Sequence, residues 1–311
     1  MHNVDKLIAV VLAAVFSAFF SVAAQAQSFR TFVSGTGSDT GACGVSAPCR
    51  SFAYALGETS AGGEIVVLSS AGYGPVTINQ AVTISNPGGV EAGITGPSGG
   101  NAVTITATSG AVTLRGLTLE GGGSATNGVA LTSSLPMGST LTVNILDCVI
   151  KDFSGDGILL APTNSSNMGG TPFVTVVIAD STITGNGTGI AATPGLVNLR
   201  PSIYRTIVDS NNGTGLNLSY GSSGGTVDAL LIFSHVDNNT GTGIQNGATL
   251  IMKNSSALVN GGINDIVNNL VLDIFDRNTI GVLSGNGGGS TDGTNTIQSN
   301  TGGSLIKITP Q

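Results

Sequence analysis

The stretch DSTITGNGTGI, residues 180–190, is one copy of a motif that the chain repeats. It recurs as DCVIKDFSGDGI at 147–158, RTIVDSNNGTGL at 205–216, SHVDNNTGTGI at 234–244 and, more loosely, NSSALVNGGI at 254–263. Each copy joins a short β-branched run to an Asn/Asp/Gly turn and closes on Gly followed by an aliphatic residue. Self-similarity at this period marks a solenoid, whose units bury their apolar faces only against one another.

The closing aliphatics Val129, Ile158, Ile190, Leu216, Ile244 and Ile263 are separated by 29, 32, 26, 28 and 19 residues. Helical repeats keep a near-constant length and favour Ala, Leu, Glu and Lys. These segments are instead rich in Val, Ile and Thr and broken by Gly every few residues, which suits strands and turns. Extra residues can bulge from turns while the strands keep register. Stacked aliphatics then form a buried column, each contributing roughly 1.5–3 kcal/mol. The expected fold is all-β: a single-stranded parallel β-helix of about ten coils, about 50 Å long at the usual strand spacing. The crossover rule makes it right-handed. Asn186-Gly187, Asn212-Gly213 and Thr240-Gly241 are read as its sharp turns, because Asn and Gly tolerate positive φ. Asn186, Asn212 and Asn238 also match glycosylation sequons, which turn chemistry alone explains.

The repeats resemble those of secreted right-handed β-helix proteins of the pectin-lyase-like superfamily. TFVSGTGSDTGACGVSAPCRSFAYAL, residues 31–56, is similar to the segment that opens many uncharacterised bacterial members. The resemblance implies the fold and leaves activity open, because that superfamily includes lyases, hydrolases and adhesins. Its polygalacturonase-like members carry Asn-Thr-Asp, Asp-Asp, Gly-His and Arg-x-Lys motifs, none of which stands at a matching place here. Pectate-lyase-like members carry Trp motifs, and this chain has no Trp.

Residues 1–26 read as an export signal, with Lys6 before an apolar run and Ala24-Gln25-Ala26 as a cleavage site. The run is short for the ~20 residues of a membrane span. Residues 27–63 are expected to form an N-terminal cap, and 64–311 the β-helix. Within the cap, Cys43 and Cys49 flank a short loop and suit a disulfide in an oxidising compartment. A short helix over 48–56, capped near Ser46 or Ala47 and ended by Gly57, would cover the first coil. Cys148 has no partner in sequence and reads as a small buried hydrophobe.

Only 9% of residues are charged and the formal net charge is −7, which argues against nucleic acid and anionic membranes as partners. The glycine-rich 285–293 stretch lacks a phosphate-loop Lys-Ser/Thr, and no calcium-binding nonapeptide occurs. No cofactor is expected; Ca2+ enters only if the protein is a lyase.

Taking Ile150, Ile183, Ile207, Val236 and Ala257 as one column, the position two before holds Cys148, Ser181, Arg205, Ser234 and Ser255. The position one before, with His235, faces outward. Asp180, Arg205, Asp209, His235 and Asp237 then gather on consecutive coils. They are either a carboxylate-and-Arg site acting on a sugar, or a solvated ladder of turn residues. A one-residue slip in the Arg205 coil would exchange its faces. The leading functional expectation is an exported, non-catalytic recognition or structural protein with a Thr/Ser/Asn-rich surface and an extracellular glycan as partner. The alternative is a polysaccharide lyase or glycoside hydrolase using those five residues.

Overall fold

A computed structural model describes residues 27–166, 170–220 and 225–261, and beyond them 266–268, 273–276, 279–284, 289–291, 295–300 and 305–307. The export-signal reading and Ile263 lie outside these residues. The protein is a right-handed parallel β-helix. Each coil contributes a long strand, a short strand and a third strand, as in Thr140–Leu146, Val149–Lys151 and Asp156–Leu160. Stacking builds a twelve-stranded long sheet, a six-stranded short sheet and an eleven-stranded third sheet, counted over the described residues.

Alternation sets the core. Along Thr140–Leu146 the pattern buries Leu141, Val143 and Ile145 and leaves the residues between them facing out. Register then aligns Ile65, Ile84, Leu114, Ile145, Ile178, Ile203, Leu231 and Met252 in one column through eight coils. All eight are buried. On the third sheet, Val129, Ile158, Ile190, Leu216 and Ile244 align as expected from their spacing. The next partner of Ile244 is Ile266, three residues beyond the expected Ile263.

The glycines before Val129, Ile158, Ile190 and Leu216 are required for space. A Cβ at Gly189 would lie 2.4 Å from both Val208 Cγ1 and the Gly215 carbonyl oxygen. The sharp bends sit elsewhere than expected. Gly185, Ser210 and Asn238 carry the positive φ, one or two residues before the Asn-Gly and Thr-Gly pairs, and Asp152 and Val259 do so at the equivalent place in the flanking coils. Asn186 is buried, so its sequon is closed to modification.

At the N-terminus, Ser28–Val33 and Thr59–Val67 are already the first two strands of the long sheet. Cys43 and Cys49 form a disulfide, and their loop lies along the outer edge of the first strand. Phe32 N donates to Cys43 O, Cys49 N donates to Phe32 O, and Ser34 N donates to Cys49 O. That bonding holds Pro48–Arg50 extended, so helix α1 runs Phe52–Glu58 with Ser51 as its N-cap, later than the expected 48–56. Asp39 braces the cap by accepting from Arg50 N, Ser51 N and Ser51 Oγ. Burial opposes the charge of Asp39, but these bonds and the Arg50 charge hold its carboxyl below the ordinary range. Phe52, Ala55 and Leu56 plug the first coil. No helix among the described residues is long and apolar enough to cross a membrane.

Candidate functional site

The short sheet sets the geometry of all five expected site residues. Its buried column is Ile150, Ile183, Val208, with Val236 and Ala257 continuing it through backbone bonding. The Arg205 coil is therefore slipped by one from the expected register: Val208, and not Ile207, points inward. Thr206 accordingly takes the inner position assigned to Arg205. Cys148, Ser181, Thr206, Ser234 and Ser255 form a buried ladder of small polar groups. Cys148 N, Thr206 N and Ser234 N donate to the hydroxyls of Ser181, Ser234 and Ser255. Burial pushes the Cys148 thiol up to about 11, which suits an inert head of that ladder.

Three residues beyond the buried column lies a second ladder that sequence reasoning missed. Asn186, Asn211, Asn239 and Asn260 stack with each Nδ2 donating to the next Oδ1, at 3.0, 2.8 and 3.0 Å. Each Oδ1 also accepts the preceding asparagine's backbone N–H. Phe153 ends the stack, donating its backbone N–H to Asn186 Oδ1. These asparagines hold the turn from inside.

Slipping the register separates the expected cluster in two. Asp180 and Arg205 occupy the left-handed corner that precedes each short strand, with φ of 54° and 44°. Arg205 Nε and Nη2 donate to Asp180 Oδ1 and Oδ2 at 2.5 and 2.6 Å. The guanidinium lies over the Tyr204 ring, 4.2 Å from its centroid. This bidentate bond holds the Asp180 carboxyl below its usual range and raises Arg205 further above neutrality. A lyase acting by elimination would use Arg205 as its base, which must first give up its own proton, so the Asp180 pairing works against that role.

Asp209, His235 and Asp237 sit past the corner, on the outer face of the short sheet. Asp209 and Asp237 each follow the buried column, in consecutive coils; His235 precedes it and is bridged to Ile207. Asp237 accepts from Ser256 Oγ at 2.8 Å and from Leu258 N at 2.8 Å. Among the described residues, no three His, Cys, Asp or Glu side chains converge.

The outer face of the long sheet carries groups that the sequence reading did not join. Phe233 occupies the same left-handed corner one coil after Arg205, is 49% exposed, and meets the Tyr204 ring edge-on at 5.7 Å. At the other end of these strands Arg200 lies over Phe173 at 5.5 Å and pairs with Asp228 at 3.7 Å. Asn198 pairs with Phe173 and Tyr204 lies six residues on, so the two aromatic–arginine patches stand roughly 20 Å apart along the strands. One outward column runs Thr83, Thr113, Asn144, Val177, Ser202, Leu230 and Ile251 along the solenoid. Apolar side chains thus join the expected Thr/Ser/Asn surface in the later coils, where Thr175, Asn198, Ser202, Thr226 and Thr249 still face outward.

No family model matches the chain, and no curated protein matches it. Among solved structures it is similar to a GH136 lacto-N-biosidase from Eubacterium ramulus, at 12% identity over 90% of this chain and 68% of that chain, with a TM-score of 0.47. It is also similar to a polygalacturonase from Erwinia carotovora, at 15% identity over 90% and 95% of the two chains, with a TM-score of 0.45. For the pectate lyase Pel9A the values are 15%, 74%, 76% and 0.35.

Proposed function

We infer that this is an exported recognition protein that binds an extended glycan on the outer face of its long sheet, without turning it over. The observation that carries this reading is the pair of exposed aromatic–arginine patches, Phe173/Arg200 and Tyr204/Arg205/Phe233, at the two ends of adjacent strands. Aromatic rings and flat guanidinium groups offer apolar faces to the C–H surface of a sugar while keeping a polar edge wet. Both arginines are pinned by aspartates, so the platform loses little side-chain entropy on binding. Export and cleavage after Ala26 belong to the same reading.

A glycan array with the purified protein tests it. Tyr204→Ala with Phe233→Ala should weaken the best ligand roughly tenfold or more, about 1.4 kcal/mol. Phe173→Ala should weaken long ligands and spare short ones. Unchanged binding in both the double variant and Phe173→Ala sinks the assignment.

A second reading is favoured by the stacked aspartates. Asp209 and Asp237 lie on strands about 4.8 Å apart, near the lower end of the separation that paired carboxylates need for glycoside hydrolysis. Release of reducing ends from a polysaccharide, abolished by Asp209→Asn or Asp237→Asn, would replace the recognition reading with this one.

A further inference from the structure

His235 is the one histidine beyond His2, and its ring is held in an unusual way. Ser256 Oγ lies 2.8 Å from His235 Nδ1 and also 2.8 and 3.1 Å from the two oxygens of Asp237. The hydroxyl has a single proton, and an ionised carboxylate can only accept. Asp237 therefore takes the Ser256 proton, and the short contact to the ring requires Nδ1 to carry its own hydrogen. Ser256 is 7% exposed and Asp237 is fixed by Leu258 N, so the relay is held by the fold. The His235 side chain is 58% exposed, and no hydrogen bond from the described residues reaches Nε2.

We propose that Asp237 and Ser256 lock neutral His235 as the Nδ1–H tautomer, making Nε2 the acceptor of a site for a hydroxyl group of a neutral carbohydrate. Ile207, 42% exposed and bridged to His235 on the preceding coil, supplies an apolar shelf for the C–H face beside that hydroxyl. The charged groups of this face on neighbouring strands are Asp237, Asp209 and, two coils before Asp209, Lys151. Two carboxylates nearest the ring disfavour an acidic sugar. The tautomer stands by itself, whereas the choice of ligand rests on the glycan reading above.

Long-range proton–nitrogen NMR of the full chain carrying His2→Gln leaves one imidazole to observe. In its neutral form, His235 should show a protonated Nδ1 and a bare Nε2, the reverse of the form favoured by a free histidine side chain. Ser256→Ala should swing the ring to Nε2–H, and Ser256→Thr should restore the parent pattern. Asp237→Ala, which frees the Ser256 proton to point at the ring, should produce the same swing if Ser256→Ala fails to fold. A dominant Nε2–H form in the parent, or a ratio unmoved by these variants, overturns the relay. Xylohexaose should then shift the Nε2 resonance and an oligogalacturonate should not. No shift with xylohexaose, or a shift with the acidic oligomer, overturns the ligand class while leaving the tautomer result intact.

Discussion

Asn211 makes four side-chain hydrogen bonds inside the solenoid, accepting from Asn186 N and Nδ2 and donating to Ile183 O and Asn239 Oδ1. A side chain with both donors and acceptors suits this position because stacked coils offer both, one from each neighbour. Asp156 is the opposite case. It stands at the end of another amide row, where Asn127 Nδ2 donates to Asn101 Oδ1 and Asp156 N donates to Asn127 Oδ1. Burial pushes its carboxyl up, against a hydrogen bond from Thr188 that pulls it down. A folded-state value above the unfolded one means that the ionised form burdens the fold. That burden is full at neutral pH and is relieved as pH falls through the raised value. Asp156→Asn should therefore stabilise the protein at pH 7 by up to about 1 kcal/mol, a figure kept low because the group is partly solvated. The gain should shrink below the raised value, where the wild-type carboxyl is protonated. Urea unfolding at pH 7 and at pH 4 measures both; equal gains at the two pH values would show that charge is not the cause.

At the scale of elements, the disulfide loop is tied to the first strand rather than standing apart from the solenoid. Its backbone occupies the edge that a strand from another molecule would otherwise claim, and open edges invite association. Replacing Cys43 and Cys49 together by Ser should cost about 2 kcal/mol for a loop this short. It should also raise the fraction of dimers and larger species on size-exclusion chromatography. A destabilised but strictly unchanged oligomeric distribution would mean that the loop stays on the edge without the bond. The elements that were legible in the sequence are those where one face alone is apolar. Ile183 lies between Thr182 and Thr184, so its direction is unambiguous, and the spacing of Gly-aliphatic pairs located the third sheet through five coils. The RTIVD segment offered two adjacent β-branched residues, Ile207 and Val208, and alternation by itself gives no preference between them. Only the fixed offset to an inner asparagine, from Ile183 to Asn186 and from Val208 to Asn211, decides it. Reading Asn186 and Asn212 only as residues of sharp turns hid that offset, and with it the true company of Arg205. Aromatic pairing across the long sheet was hidden for another reason. Tyr204 and Phe233 are 29 residues apart in sequence and meet only because one coil brings the corner of each strand to the next.

At the scale of the whole molecule, neighbouring coils are near-equivalent, and this allows a coil to be removed without a new junction being designed. Ala179 pairs with Tyr204, so Asp180 and Arg205 follow at equivalent corners. Deleting residues 180–204 joins Ala179 to Arg205 and leaves every inner position filled: Ile178 stacks on Leu231, Ile150 on Val208, and Asn211 takes over from Asn186 beneath Phe153. Arg205 loses Asp180 but gains Asp147, which holds the same corner one coil earlier with φ of 54°. The shortened chain should fold as a β-helix with a lower urea m-value, since m follows the surface exposed on unfolding. Stability should fall by one set of coil–coil interfaces, as expected when each repeat contacts only its neighbours. Deleting residues 180–203 instead leaves Tyr204 at the corner and moves each following side chain of the short strand to the opposite face, putting Arg205 and Ile207 inside. Circular dichroism and urea titration of the two deletions separate the outcomes. If both fold equally well, Val208 is not the inward residue of the Arg205 coil; if only the longer deletion folds, the inward direction of Thr206 and Val208 is established by experiment.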